Sequence, residues 1–216
     1  MKRARGRPAG RRLVLAGYAI AVPAALYAPV LGIGLATLPA PDQPIQDPWF
    51  TIMELLILAI APALVLFALG LRDRVPAGNR AAAQGAVLAM ALCAGVTVLV
   101  HLSILVVARW PAVQAQAWAP AVFDFRWPSL AYALDILAWD LLFAIGAGCC
   151  ALALRGVEAL RFERRLLALA AWLALAGLAG VPLADMTVRN IGILGYAVVF
   201  PVAAARVARK AAALPA

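Results

Sequence analysis

The feature that most constrains this chain is a series of apolar runs, each long enough to cross about 30 Å of hydrocarbon as a helix. Six are legible, at about 13–35, 50–71, 83–107, 129–154, 166–183 and 191–207, the last two being the shortest. With 66% hydrophobic and only 13% charged residues in 216, and a mean hydropathy of +0.94, the chain lies far from the balance of a soluble domain. The expected fold is therefore all-α: a polytopic transmembrane bundle of six spans. Residues 1–12 form a basic N-terminus, 13–207 the membrane domain and 208–216 a short tail. Pro23, Pro29, Pro62 and Pro201 fall inside runs and predict kinks rather than breaks, because neighbouring helices re-satisfy the carbonyls that proline frees. The first run follows six basic residues, including the pair Arg11-Arg12, but it is longer than the apolar core of a signal peptide, so it reads as a retained span.

A net charge of +9 on a soluble chain would suggest nucleic acid, yet this chain has little polar surface on which to build a phosphate-binding face, and no nucleic-acid partner is expected. The basic residues instead report topology, since cytoplasmic loops carry the excess of Lys and Arg. Six spans put sixteen of the nineteen on one side, leaving only Arg109, Arg126 and Arg189 on the other. Five spans would worsen the division to thirteen against six. Six spans with both termini cytoplasmic are thus expected, with the bilayer and anionic lipid at the cytoplasmic face as partners. Trp49, Trp110, Trp118 and Trp127 fall at span ends on the opposite side, where indoles settle among headgroups. The segment from Arg109 to Pro128 is too proline-broken for a span and reads as a surface-hugging connector, the alternative being a lid. Gly146, Gly148, Gly177, Gly180, Gly192 and Gly195 supply small surfaces for close helix packing, without a strict GxxxG pattern; self-association is left open.

Ionisable groups inside spans are expensive, at about 2.5–3.5 kcal/mol or more each, and so mark candidate sites. Glu54, His101, Asp135 and Asp140 are the primary candidates for binding a ligand, cation or proton. At about 1.5 Å per residue, Glu54 lies roughly 6 Å below the outer boundary, His101 and Asp135 roughly 9 Å, and Asp140 roughly 16 Å. All four belong to the outer half, and no comparable residue is expected in the inner half. Thr97 shares a face with His101, and Tyr132 and Trp139 share one with Asp135, while Asp185, Arg189 and Asn190 sit at the turn between the last two spans. Arg189 is four residues after Asp185 and is positioned to neutralise it in a helical turn. Asp140 follows Asp135 by five residues, about 140° around an α-helix, so the two acids are expected to meet different neighbours.

A single histidine excludes a haem pair, a di-iron centre or a two-histidine zinc site, and a one-histidine zinc with Glu54, His101 and an Asp rests on depth alone. No P-loop, GxGxxG, GxSG or CxxC pattern is present, and Cys93, Cys149 and Cys150 read as packing residues. No metal or cofactor is expected. Three functions survive: a carrier-like or ligand-binding protein with an outward-facing acidic pocket; an enzyme acting on a lipid or isoprenoid with His101 and a carboxylate as acid and base; and a non-catalytic assembly or sensory subunit. The stretches TIMELLILAIAP (51–62), WPSLAYALDILAWD (127–140) and DMTVRNIGILGYAVVFPV (185–202) resemble a set of uncharacterised six-span bacterial membrane proteins. That resemblance implies the bacterial inner membrane and no particular activity.

Overall fold

The computed structural model describes residues 6–40 and 43–211, with side chains from residue 10 onward. Lys2, Arg3 and Arg5 of the basic N-terminus, Asp42 and the last five residues of the tail lie outside the described residues. The described chain is helical. Five helices are long and apolar enough to cross a membrane: Gly10–Ala36, Trp49–Arg72, Ala77–Val106, Leu130–Ala153 and Met186–Arg209. The first is the main part of α1 (Gly6–Ala36), which runs unbroken through Pro23 and Pro29, as α2 (Trp49–Arg72) runs through Pro62. α3 spans Arg80–Val106, and two short helices, α4 (Pro111–Gln114) and α5 (Ala119–Phe123), follow it.

The fourth and last long helices are not uniform. The fourth consists of α6 (Leu130–Ile136), a π-helical stretch at Leu137–Leu142 and α7 (Phe143–Ala153); the last consists of α9 (Met186–Ile193), a π-helical stretch at Leu194–Val199 and α10 (Phe200–Arg209). Five-residue hydrogen bonds mark both stretches, from the Phe143 amide to the Ala138 carbonyl and from the Phe200 amide to the Gly195 carbonyl. Pro201 gives the second a local cause. It has no N–H to offer the Ala197 carbonyl, so the ladder widens just before it.

Between these two helices lies α8 (Arg161–Gly177), shorter than the other five and with a first turn rich in charge. Its start is joined to the end of α10, where Glu163 binds Arg206 at 3.0 Å and Lys210 at 3.1 Å. Its far end approaches the start of α9: a Cβ on Gly180, just beyond α8, would lie 3.0 Å from the Arg189 amide nitrogen. α8 therefore runs from one end of the bundle to the other, antiparallel to α10.

The six helical segments close into a ring in chain order: α1 packs on α2, α2 on α3, α3 on α7, α7 on α8, α8 on α9 and α10, and α10 back on α1. Glycine makes the last closure possible, because a Cβ on Gly17 of α1 would come within 2.7 Å of the Ala204 carbonyl and of the Ala208 methyl. Arg12, Arg72, Arg74, Arg206 and Lys210 gather at one end, where Asn79 also donates to the carbonyls of Ala153 and Arg155, while Arg109 and Arg126 lie at the other. Glu163, which precedes the fifth apolar run, belongs to this end and is fully buried. Two cationic partners and a helix start make that burial affordable. At the other end Arg109 reaches back from the exit of α3 to Asp47 (3.1 Å) and Thr51 (2.7 Å). The Thr51 hydroxyl and amide, with Arg109, hold the Asp47 carboxyl below the usual carboxylate range.

Candidate functional site

The middle of the ring is plugged by aromatic side chains. Phe67, Phe143 and Phe200 are fully buried; Phe143 and Phe200 meet edge to face at 4.9 Å, and Trp139 and Tyr196 at 5.2 Å complete the layer. Directly on this layer, towards the tryptophan-bearing end, sit Glu54, His101, Asp135, Asp140 and Arg189, none more than 6% exposed.

These five form one continuous chain of contacts. Glu54 Oε2 is 2.7 Å from His101 Nδ1, and His101 Nε2 lies 3.4 Å from Asp135 Oδ1. Asp135 Oδ2 accepts from Arg189 Nη2 at 2.6 Å, and Arg189 Nε donates to Asp140 Oδ2 at 3.0 Å. α2, α3, the fourth long helix and α9 are thereby tied together in the same layer. All four primary candidates of the sequence reading converge, but they are bonded to one another instead of lining an open outward mouth.

Two expectations are corrected here. Asp135 and Asp140 do not meet different neighbours, since both bind the same guanidinium. The π-helical stretch explains this: its wider turn makes residues five apart near neighbours, where an α-helix would separate them. Arg189 does not neutralise Asp185. Asp185 instead caps α9, accepting from the Thr187 amide at 2.8 Å, and stands exposed while the arginine points inward. Local capping competes well for a short acid at a helix start, whereas the long guanidinium reaches two carboxylates that need it more.

The secondary candidates divide. The Tyr132 ring lies 4.6 Å from the Arg189 guanidinium, and Thr97 is buried one turn from His101. Trp139 belongs to the aromatic layer beneath the network. Asn190 is exposed, as is Arg126, which leans on Asp124 at 3.5 Å. Tyr27 of α1 is close enough to Asp135, Glu54 and Arg189 to feel their charges, and Tyr196 is close to Arg189 and both aspartates. Neither tyrosine carried a sequence signal, because a phenol in a span is an ordinary boundary or packing residue.

The connector between α3 and α6 covers the site. Phe125 lies 5.6 Å from the His101 ring and 5.5 Å from Tyr132, and the Ser129 hydroxyl, which caps α6, also donates to the Asp124 carbonyl. On the side facing α8, Asp140 Oδ1 accepts no hydrogen bond from the described residues and rests against two glycines. A Cβ at Gly177 would lie 2.8 Å from that oxygen, and one at Gly192 closer still.

A metal does not suit this donor set. Glu54 and Asp135 occupy opposite nitrogens of the imidazole, so no single point is available to all three, and a guanidinium fills the space between the two aspartates. Among the described residues no group of three or more His, Cys, Asp or Glu side chains is arranged to hold a metal ion. No protein-family model, curated protein or solved structure matches the chain.

Proposed function

We propose that this is a multi-pass membrane protein of the carrier or ligand-binding kind, whose buried network takes up and releases protons. The observation that carries this reading is a charge count in a sealed place. Three carboxylates face one arginine and one imidazole, and the group is neutral only when it holds two protons beyond its fully deprotonated form. One proton completes the imidazolium, whose Nδ1 bonds Glu54 and whose Nε2, 3.4 Å from Asp135 Oδ1, then pairs with that carboxylate by charge. Asp140 Oδ1, with no donor bonded to it, is the carboxylate oxygen open to the second. Burial without a matching charge is costly, so the network is driven towards neutrality and exchanges protons whenever its cover opens. Phe125 and the connector form that cover.

Infrared spectroscopy of the reconstituted protein tests this. The carbonyl stretch of a protonated carboxylic acid is expected to change in intensity as the external pH is varied, and to disappear in Asp140→Asn while the helical amide bands persist. A wild-type protein that shows no such band at any pH at which it stays folded would overturn the proposal. Turnover of a lipid extract, lost in His101→Ala, would replace it with catalysis.

The same reading includes six spans, with α8 as the fifth of them, and both termini on the cytoplasmic side of a bacterial inner membrane. The antiparallel course of α8 beside α10 and the gathering of basic side chains at one end support it. A C-terminal green fluorescent protein fusion should fluoresce and a C-terminal alkaline phosphatase fusion should be inactive; the reverse pattern would place the C-terminus outside and overturn this topology.

A further inference from the structure

A second feature lies away from the ionic network, on the outside of the ring between α7 and α8. There a groove of about 600 Å³ opens sideways, with apolar walls along most of its length and Arg155, Arg164 and Arg165 at one end. Ile145, Leu175 and the exposed indole of Trp172 are among its apolar walls. Its floor is low because the helices meet through small residues. A Cβ on Gly148 would make only ordinary contact with the Ala171 methyl, 3.8 Å away.

We infer that this groove is a binding site for one anionic phospholipid, its phosphate on the three arginines and an acyl chain lying along the cleft. Two observations select that occupant. None of the three guanidiniums has a carboxylate partner among the described residues, although Arg12, Arg72 and Arg206 at the same end each have one. Three uncompensated guanidiniums at the mouth of an apolar cleft are complementary to a negatively charged headgroup attached to a hydrocarbon tail. The length agrees. From Arg165 to Leu175 is ten residues of helix, about 15 Å, or half of the roughly 30 Å hydrocarbon core. The groove therefore matches one leaflet, as a phospholipid does, and ends where the opposite leaflet begins. A diffuse basic rim attracts anionic lipid too, but it has no cleft to hold the tail.

Native mass spectrometry of the full chain in detergent, titrated with phosphatidylglycerol or phosphatidylcholine, separates the two. Phosphatidylglycerol is expected to bind as one tight adduct. Replacing Arg155, Arg164 and Arg165 together by Gln should weaken it by about tenfold or more, whereas Arg80, Arg161 and Arg209 replaced together by Gln, on the same rim but outside the groove, should change it less than about threefold. Gly148→Leu keeps every arginine and fills the cleft, and should also abolish the tight adduct. Circular dichroism and size-exclusion profiles report whether each variant retains its fold, and the rim triple provides a charge-matched reference if the groove triple is less stable. Equal weakening by both triples, or unchanged binding in Gly148→Leu, would overturn the assignment and leave only diffuse attraction to the rim.

Discussion

Replacing Arg189 by Leu should destabilise the protein by about 3–5 kcal/mol, the scale of breaking a buried ion pair by removing one partner. Among the described residues the arginine is the only cation bonded to Asp140 and the closest one to Asp135, and both acids are buried. Without it, Asp140 keeps no counter-charge among the described residues and Asp135 keeps only the His101 ring, 3.4 Å away. Protonation relieves only part of that cost, because the neutral acids still lose the charge-assisted hydrogen bonds that the guanidinium gave them. Compensation is the sharper prediction. Arg189→Leu combined with Asp135→Asn and Asp140→Asn removes the charges along with their partner and should recover more than half of the lost stability. Unfolding in mixed detergent and SDS measures both. If the single substitution is as stable as the wild type, the network does not hold α9 against the fourth long helix. If the triple variant is no better than the single one, the loss came from the arginine's packing rather than from stranded charge.

The second large effect is expected from the smallest substitution. Gly192→Ala should cost about 1–3 kcal/mol, as extra methyl groups in a well-packed interior do, and should displace Asp140 from Arg189. The added methyl would overlap Asp140 Oδ1, and the Ala174 carbonyl 3.5 Å away leaves it no retreat towards α8. Gly95→Ala provides the contrast. Nothing lies within 4 Å of a Cβ there, so alanine's better helix propensity should leave the protein unchanged or stabilise it by a few tenths to about 1 kcal/mol. Thermal midpoints of the two variants should therefore move apart. A Gly192→Ala protein as stable as the wild type, with its carboxylic-acid infrared band unchanged, would show that the Asp140 carboxylate has room the structure denies it.

These two predictions mark where sequence reasoning stopped. Glu54, His101, Asp135 and Asp140 stood out because each is costly in a span, and comparing helix depths put them in one half. Arg189 stood out as well, but i to i+4 spacing assigned it to Asp185. The spacing argument failed because it compared partners on one helix, whereas a guanidinium selects among all carboxylates within reach and gains most from those shut away from water. Gly177 and Gly192 were legible only as small surfaces. Nothing in the sequence says that the atom they make room for is a carboxylate oxygen.

The sequence by itself determined that this chain is a set of apolar helices, where most of them begin and end, and which residues are too polar to face lipid. Those properties follow from run length, hydropathy and the cost of burying charge, each of which is local to a segment. Which polar groups meet was decided only in three dimensions. The π-helical stretch at Leu137–Leu142 turned two acids to one side, the glycines of α8 and α9 let the backbones close on them, and Phe125 came down over His101. Each of these depends on a neighbour distant in the chain. An acid's partner in a membrane interior is set by what else is sealed in with it, and periodicity along one helix carries no record of that.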